Sequence, residues 1–138
     1  MSSNCPICER GTPFDVIADL QATWVTAPPE ALLPGYVCIV SKVHVREPFE
    51  LHGDDRPAFW DDVSTVAEAV QRTTRSTKLN YEIHGNTIPH LHLHLYPRYP
   101  GDPFEGRAID PRTHESFSRS TDDLAALGSA IAKAEGRR

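Results

Sequence analysis

From His90 onward, the stretch Pro89-His90-Leu91-His92-Leu93-His94-Leu95-Tyr96 alternates strictly between histidine and leucine. An extended strand sends successive side chains to opposite faces, and residues two apart share a face, roughly 7 Å from each other. The pattern therefore predicts three imidazoles on one side of a strand, with Leu91, Leu93 and Leu95 packed on the other. A solvated polar face that happens to be histidine is the bland alternative. Three successive outward positions filled by one uncommon residue type make it a poor one.

Working outward, residues 78–83 read as a strand leading into a Gly85-Asn86 turn. Upstream, Asp54-Asp55-Arg56-Pro57 carries the acidic residues and proline that open a helix. Phe59, Trp60, Val63, Val66, Ala67 and Val70 then recur at helical spacing, predicting one apolar face through about Arg75. Residues 36–42 read as a buried strand with Cys38 as a small core residue, and residues 15–18 and 23–26 as two short strands. Trp24 and Trp60 are expected in the core. Prolines and glycines make the stretch after Tyr96 irregular, and Ser120-Thr-Asp-Asp123 opens a short terminal helix carrying Leu124, Leu127 and Ile131. This order predicts an α+β fold: a mainly antiparallel sheet of about five strands, a long central helix and a short C-terminal helix. No linker divides residues 1–138, so one domain is expected.

Composition narrows the partners. Fourteen basic against nineteen acidic residues give a net charge of −5, with the signs interleaved and no basic run. That argues against a nucleic-acid polymer or a membrane surface as partner, while leaving room for a small anion held by a few donors. Without a signal-like or membrane-length apolar segment, a cytoplasmic location is expected. Three cysteines are an odd count, and in a reducing compartment Cys5-x-x-Cys8 suggests metal or redox chemistry before a disulfide.

The histidine strand admits two chemistries. Imidazoles at i, i+2 can ligate a metal. Alternatively, a central imidazole can attack an electrophile while its neighbours orient it and donate hydrogen bonds. The spacing alone does not choose.

The segment His90-Leu-His-Leu-His-Leu-Tyr96 resembles the signature of the histidine-triad (HIT) family of nucleotide hydrolases and transferases. Pro97-Arg98 after it is similar to the tail of that motif in the dinucleoside polyphosphate hydrolase branch. The CxxC, the strand leading to His44, the long helix and the strand before His84 follow the family order. The resemblance covers about residues 4–105, leaving about 106–138 as a C-terminal extension.

The resemblance implies a covalent nucleotidyl-histidine intermediate on His92, formed at an α-phosphate. It implies a hydrogen bond from His94 to the scissile or leaving-group oxygen, and a geometry-holding role for His90. His94 favours the hydrolase side, because related uridylyltransferases carry glutamine there. Asn86 matches a polar residue that binds α-phosphate oxygens, although an asparagine after Gly85 also suits a plain turn. His84 stands where the family usually has asparagine or glutamine, and the loop before the triad is shorter than in many members. The resemblance further implies a structural zinc on Cys5, Cys8, His44 and His90, a small-molecule nucleotide as ligand, no organic cofactor, and a homodimer. The competing readings are a non-catalytic, zinc-stabilised nucleotide-binding module, and a zinc hydrolase ligated by His90, His92 and His94 together.

Overall fold

The computed structural model describes residues 4–138. In chain order its helices and strands are α1 (Pro6–Arg10), β1 (Val16–Asp19), β2 (Thr23–Thr26), β3 (Glu30–Ala31), β4 (Val37–Ser41), α2 (Asp55–Thr74), β5 (Lys78–Glu82), β6 (His92–Arg98), β7 (Phe117–Ser118) and α3 (Thr121–Gly136). Five strands form one antiparallel sheet in the order β1-β2-β4-β6-β5, so the histidine strand is interior, between β4 and β5. β3 and β7 form a separate two-stranded ribbon that the sequence did not suggest.

The alternation of β6 sets the layers. Leu93 pairs with Ile39 and Leu95 with Val37, and these four are buried with Leu91 against α2. The α2 residues Phe59, Val63, Val66 and Val70 supply the facing stripe at helical spacing. The helix opens at Asp55 and closes where Arg75 turns left-handed at φ 57°. α3, begun by the Ser120 hydroxyl accepting from the Asp123 N–H, adds Leu127 and Ile131 to the same core.

Two residues expected in the core are partly exposed. Trp60 is 39% exposed, because it sits about 100° round α2 from Phe59, at the border of the buried stripe. Trp24 is half-buried: it pairs with Val40, which pairs with His92, so the register places it on the histidine side of the sheet. Cys38 is buried as expected, on the face that carries His94. No helix among the described residues is long and apolar enough to cross a membrane.

Candidate functional site

Cys5 caps the short helix α1, its sulfur accepting the Cys8 N–H at 3.4 Å, and Pro6 occupies the first helical position. This turn brings both sulfurs to the end of β4 and the start of the histidine strand. Cys5 Sγ lies 3.4 Å from His90 Nδ1, and Cys8 Sγ lies 3.2 Å from His44 Nδ1 and 3.6 Å from His90 Nδ1. The two imidazole Nδ1 atoms are 3.1 Å apart. All four ligand atoms lie within 4.8 Å of one another. His90 is 2% exposed, and its Nε2–H donates to the Ser41 carbonyl at 2.7 Å. That bond fixes the tautomer, so the Nδ1 lone pair faces the sulfurs. Burial also holds the His90 pKa below its ordinary value, keeping the neutral form that ligates metals. A tetrahedral zinc with bonds of about 2.3 Å to sulfur and about 2.0–2.1 Å to nitrogen sets its ligand atoms roughly 3.3–3.8 Å apart. The donor set fits such an ion.

Beside this cluster, α1 turns its other side, Pro6, Ile7 and Arg10, toward a cleft of about 350 Å³. His92 and His94 lie in its floor with Cys38 and Val40, the β4 residues that share their face, and with Tyr36 just before β4. His92 Nδ1 is 2.6 Å from the His90 carbonyl oxygen. A carbonyl can only accept, so Nδ1 carries the proton and the Nε2 lone pair is left free. His94 Nδ1 is 2.7 Å from the Tyr36 hydroxyl, and the two rings are stacked. Burial, with smaller contributions from His92 and His84 against an opposing one from Glu82, pushes His94 down to about 4, so it is neutral at pH 7. Burial raises the Cys38 thiol to about 12, so it is no thiolate nucleophile.

The structure thus separates the three histidines. His90 serves the cysteine cluster, whereas His92 and His94 serve the cleft. Cys5, Cys8, His44 and His90 come together as expected. His84 is exposed, holds Glu82 Oε1 at 2.9 Å, and lies 6.0 Å centroid to centroid from the His94 ring. Asn86 is exposed in the turn after Gly85, and neither it nor His84 lines the cleft, although Ile88 of the same turn does. Tyr36 was not singled out from sequence. Its only signal there is a place two residues before Cys38 on a strand, which acquires meaning once the register with β6 is known.

An antiparallel sheet with alternating histidines on an interior strand, a cleft above them and a cysteine–histidine cluster at the strand's start define a histidine-triad protein. The HIT domain model matches residues 12–101, and the chain belongs to that family. Members of the family are in general nucleotide-binding proteins, hydrolases or transferases. Among solved structures, a histidine triad protein from Bradyrhizobium japonicum is similar at 22% identity and a TM-score of 0.76, with 93% of each chain covered. One from Marinobacter aquaeolei is 21% identical with a TM-score of 0.75, covering 88% of each. A zinc-bound histidine triad family protein from Mycobacterium smegmatis is 17% identical with a TM-score of 0.69, covering 97% of each. No curated protein matches the chain.

Proposed function

We propose that the protein is a nucleotide-phosphate hydrolase or nucleotidyl transferase that works through a covalent nucleotidyl-histidine intermediate on His92. The observation that carries this reading is the bond from His92 Nδ1–H to the His90 carbonyl, which leaves Nε2 a free lone pair in the cleft. In the first step Nε2 attacks the α-phosphorus, a P–N bond forms, and the bond from phosphorus to the leaving oxygen or nitrogen breaks. The imidazole gains positive charge as the bond forms, and the His90 carbonyl stabilises it by accepting the Nδ1–H. Neutral His94 donates a hydrogen bond to the departing group. Water, or a second acceptor, then attacks phosphorus, the P–N bond breaks and His92 is regenerated. Asn86 and His84, exposed beside the cleft on and before the turn that carries Ile88, contact phosphate oxygens in this reading.

The ligand is a small nucleotide, of the dinucleoside polyphosphate or nucleoside phosphoramidate type. A net charge of −5 disfavours a polymer. Zinc on Cys5, Cys8, His44 and His90 is structural: with all four positions filled by protein, it ties α1 to the start of the histidine strand. We include a cytoplasmic location and a homodimer, the latter consistent with β5 forming an edge of the sheet. The geometry weighs against a zinc hydrolase on the three triad histidines, because His90 Nδ1 faces the cysteines and His92 Nδ1 is held by a carbonyl.

The test is rapid quenching at alkaline pH with a nucleotide labelled at the α-phosphate. Label on His92 supports the reading. Binding without label or turnover leaves the chain a nucleotide-binding module.

A further inference from the structure

One cation packed beside the cleft takes no part in the scheme above. Arg119 lies beyond residues 12–101, the part matched by the family model, and is half-buried. The β3–β7 ribbon, pairing Glu30 with Ser118 and Ala31 with Phe117, delivers it to the connection between β2 and β4. There its Nη1 donates to the Tyr36 carbonyl at 2.7 Å, and its Nη2 and Nε donate to the Pro28 carbonyl at 2.6 and 3.2 Å. Its backbone N–H donates to the Pro29 carbonyl at 2.7 Å. One planar guanidinium therefore clamps both ends of the β2–β4 connection, Pro28 and Tyr36, and both residues line the cleft.

Tyr36 carries the effect inward. Its ring stacks on Tyr96 at 4.7 Å, the Arg119 guanidinium lies 6.0 Å from its centroid, and its hydroxyl meets His94 Nδ1. Burial lifts the phenol above its ordinary pKa, so the hydroxyl keeps a proton to give. A neutral imidazole that accepts at Nδ1 carries its own proton on Nε2, the nitrogen able to serve a leaving group.

We propose that Arg119 is a positioning residue: by clamping the carbonyls of Pro28 and Tyr36 it aims the Tyr36 hydroxyl at His94 and holds His94 in the tautomer protonated on Nε2. The significance for turnover rests on the proposed role of His94 as donor, whereas the tautomer itself does not. Lysine cannot replace this arginine, because a single ammonium cannot fork between two separate carbonyls in a fixed plane.

Full-length wild type, Arg119→Ala, Arg119→Lys, Tyr36→Phe and the Arg119→Ala/Tyr36→Phe double variant are compared at pH 7. The first readout is the nitrogen-15 shift of the His94 ring, which reports the tautomer without any turnover. Wild type should show His94 protonated on Nε2. Both Arg119 variants should move it toward a tautomer mixture, as Tyr36→Phe does, and the double variant should resemble Tyr36→Phe alone. Arg119→Lys carries this test where Arg119→Ala does not fold. The second readout is hydrolysis of a nucleoside phosphoramidate: kcat should fall about ten- to a hundredfold with KM within about threefold, and the losses should not multiply in the double variant. Unchanged His94 shifts in folded Arg119 variants overturn the proposal. So does a full additional loss from Arg119→Ala on the Tyr36→Phe background. A wild type that shows the Nε2 tautomer but turns over no nucleotide overturns the hydrolase reading and leaves the clamp standing.

Discussion

His92 Nδ1 lies 2.6 Å from the backbone carbonyl oxygen of His90, and through this bond the residue that belongs to the cysteine cluster orients the residue that faces the cleft. The side chain of His90 points one way and its carbonyl serves the other. A single peptide unit thus couples the candidate metal centre to the candidate nucleophile.

Replacing His92 with alanine should lower turnover by about 10⁴-fold or more, since a covalent pathway has no substitute nucleophile here. Nucleotide affinity should stay within about threefold, and metal content should not change. Single-turnover kinetics with elemental analysis of the same preparation checks both. Loss of metal with His92, rather than with Cys5, would favour the metallohydrolase.

Cys8→Ser or His44→Ala should abolish the proposed zinc binding and lower Tm by about 10 °C, at roughly 3–5 °C per kcal/mol for a domain of this size. Turnover should fall as well, because α1 forms a wall of the cleft. Less than about a tenth of an equivalent of zinc in wild type prepared without chelator would refute the metal assignment.

The depressed pKa of His94 makes a signed statement about stability. Above about pH 6.5 the residue is neutral in both the folded and unfolded chain, and the contribution is constant. Between that value and about 4, the unfolded chain binds the proton first, so stability falls as pH falls. His94→Gln should remove about one proton's worth of this slope. Urea unfolding of wild type and variant from pH 4.5 to 7 measures the difference, which cancels the acid sensitivity that both share.

On α3, Gly128 approaches β1 so closely that an added Cβ would lie 2.7 Å from the Ile17 carbonyl oxygen. Alanine is the better helix former by about 1 kcal/mol. Gly128→Ala should nonetheless destabilise by about 1–3 kcal/mol, because a backbone atom must move. A higher urea midpoint in the variant would contradict this.

Much of the fold was legible in the sequence where the signal was local. The period-2 run at 90–96, the helical stripe from Phe59 to Val70 and the capping serine at 120 each describe their own element. α1 was not legible, because five residues carry too little periodicity and its form depends on the Cys5 cap. The two-residue strands β3 and β7 have no pattern of their own and exist only as a pair. The face of the sheet that Trp24 and Cys38 occupy was not legible, because a strand's pattern says which residues share a face, not which face meets the helix.

By itself, the sequence determined that three imidazoles alternate with three leucines, and that two cysteines and further histidines are present to ligate. Tertiary structure alone decided how that capacity is divided. Cys5 reaches His90 across 85 residues and Arg119 reaches Tyr36 across 83, distances over which no local pattern operates. The split between His90 and His92 likewise depends on which carbonyl and which sulfur each ring nitrogen meets. Those partners lie on different strands and on α1, and only packing brings them within hydrogen-bond reach.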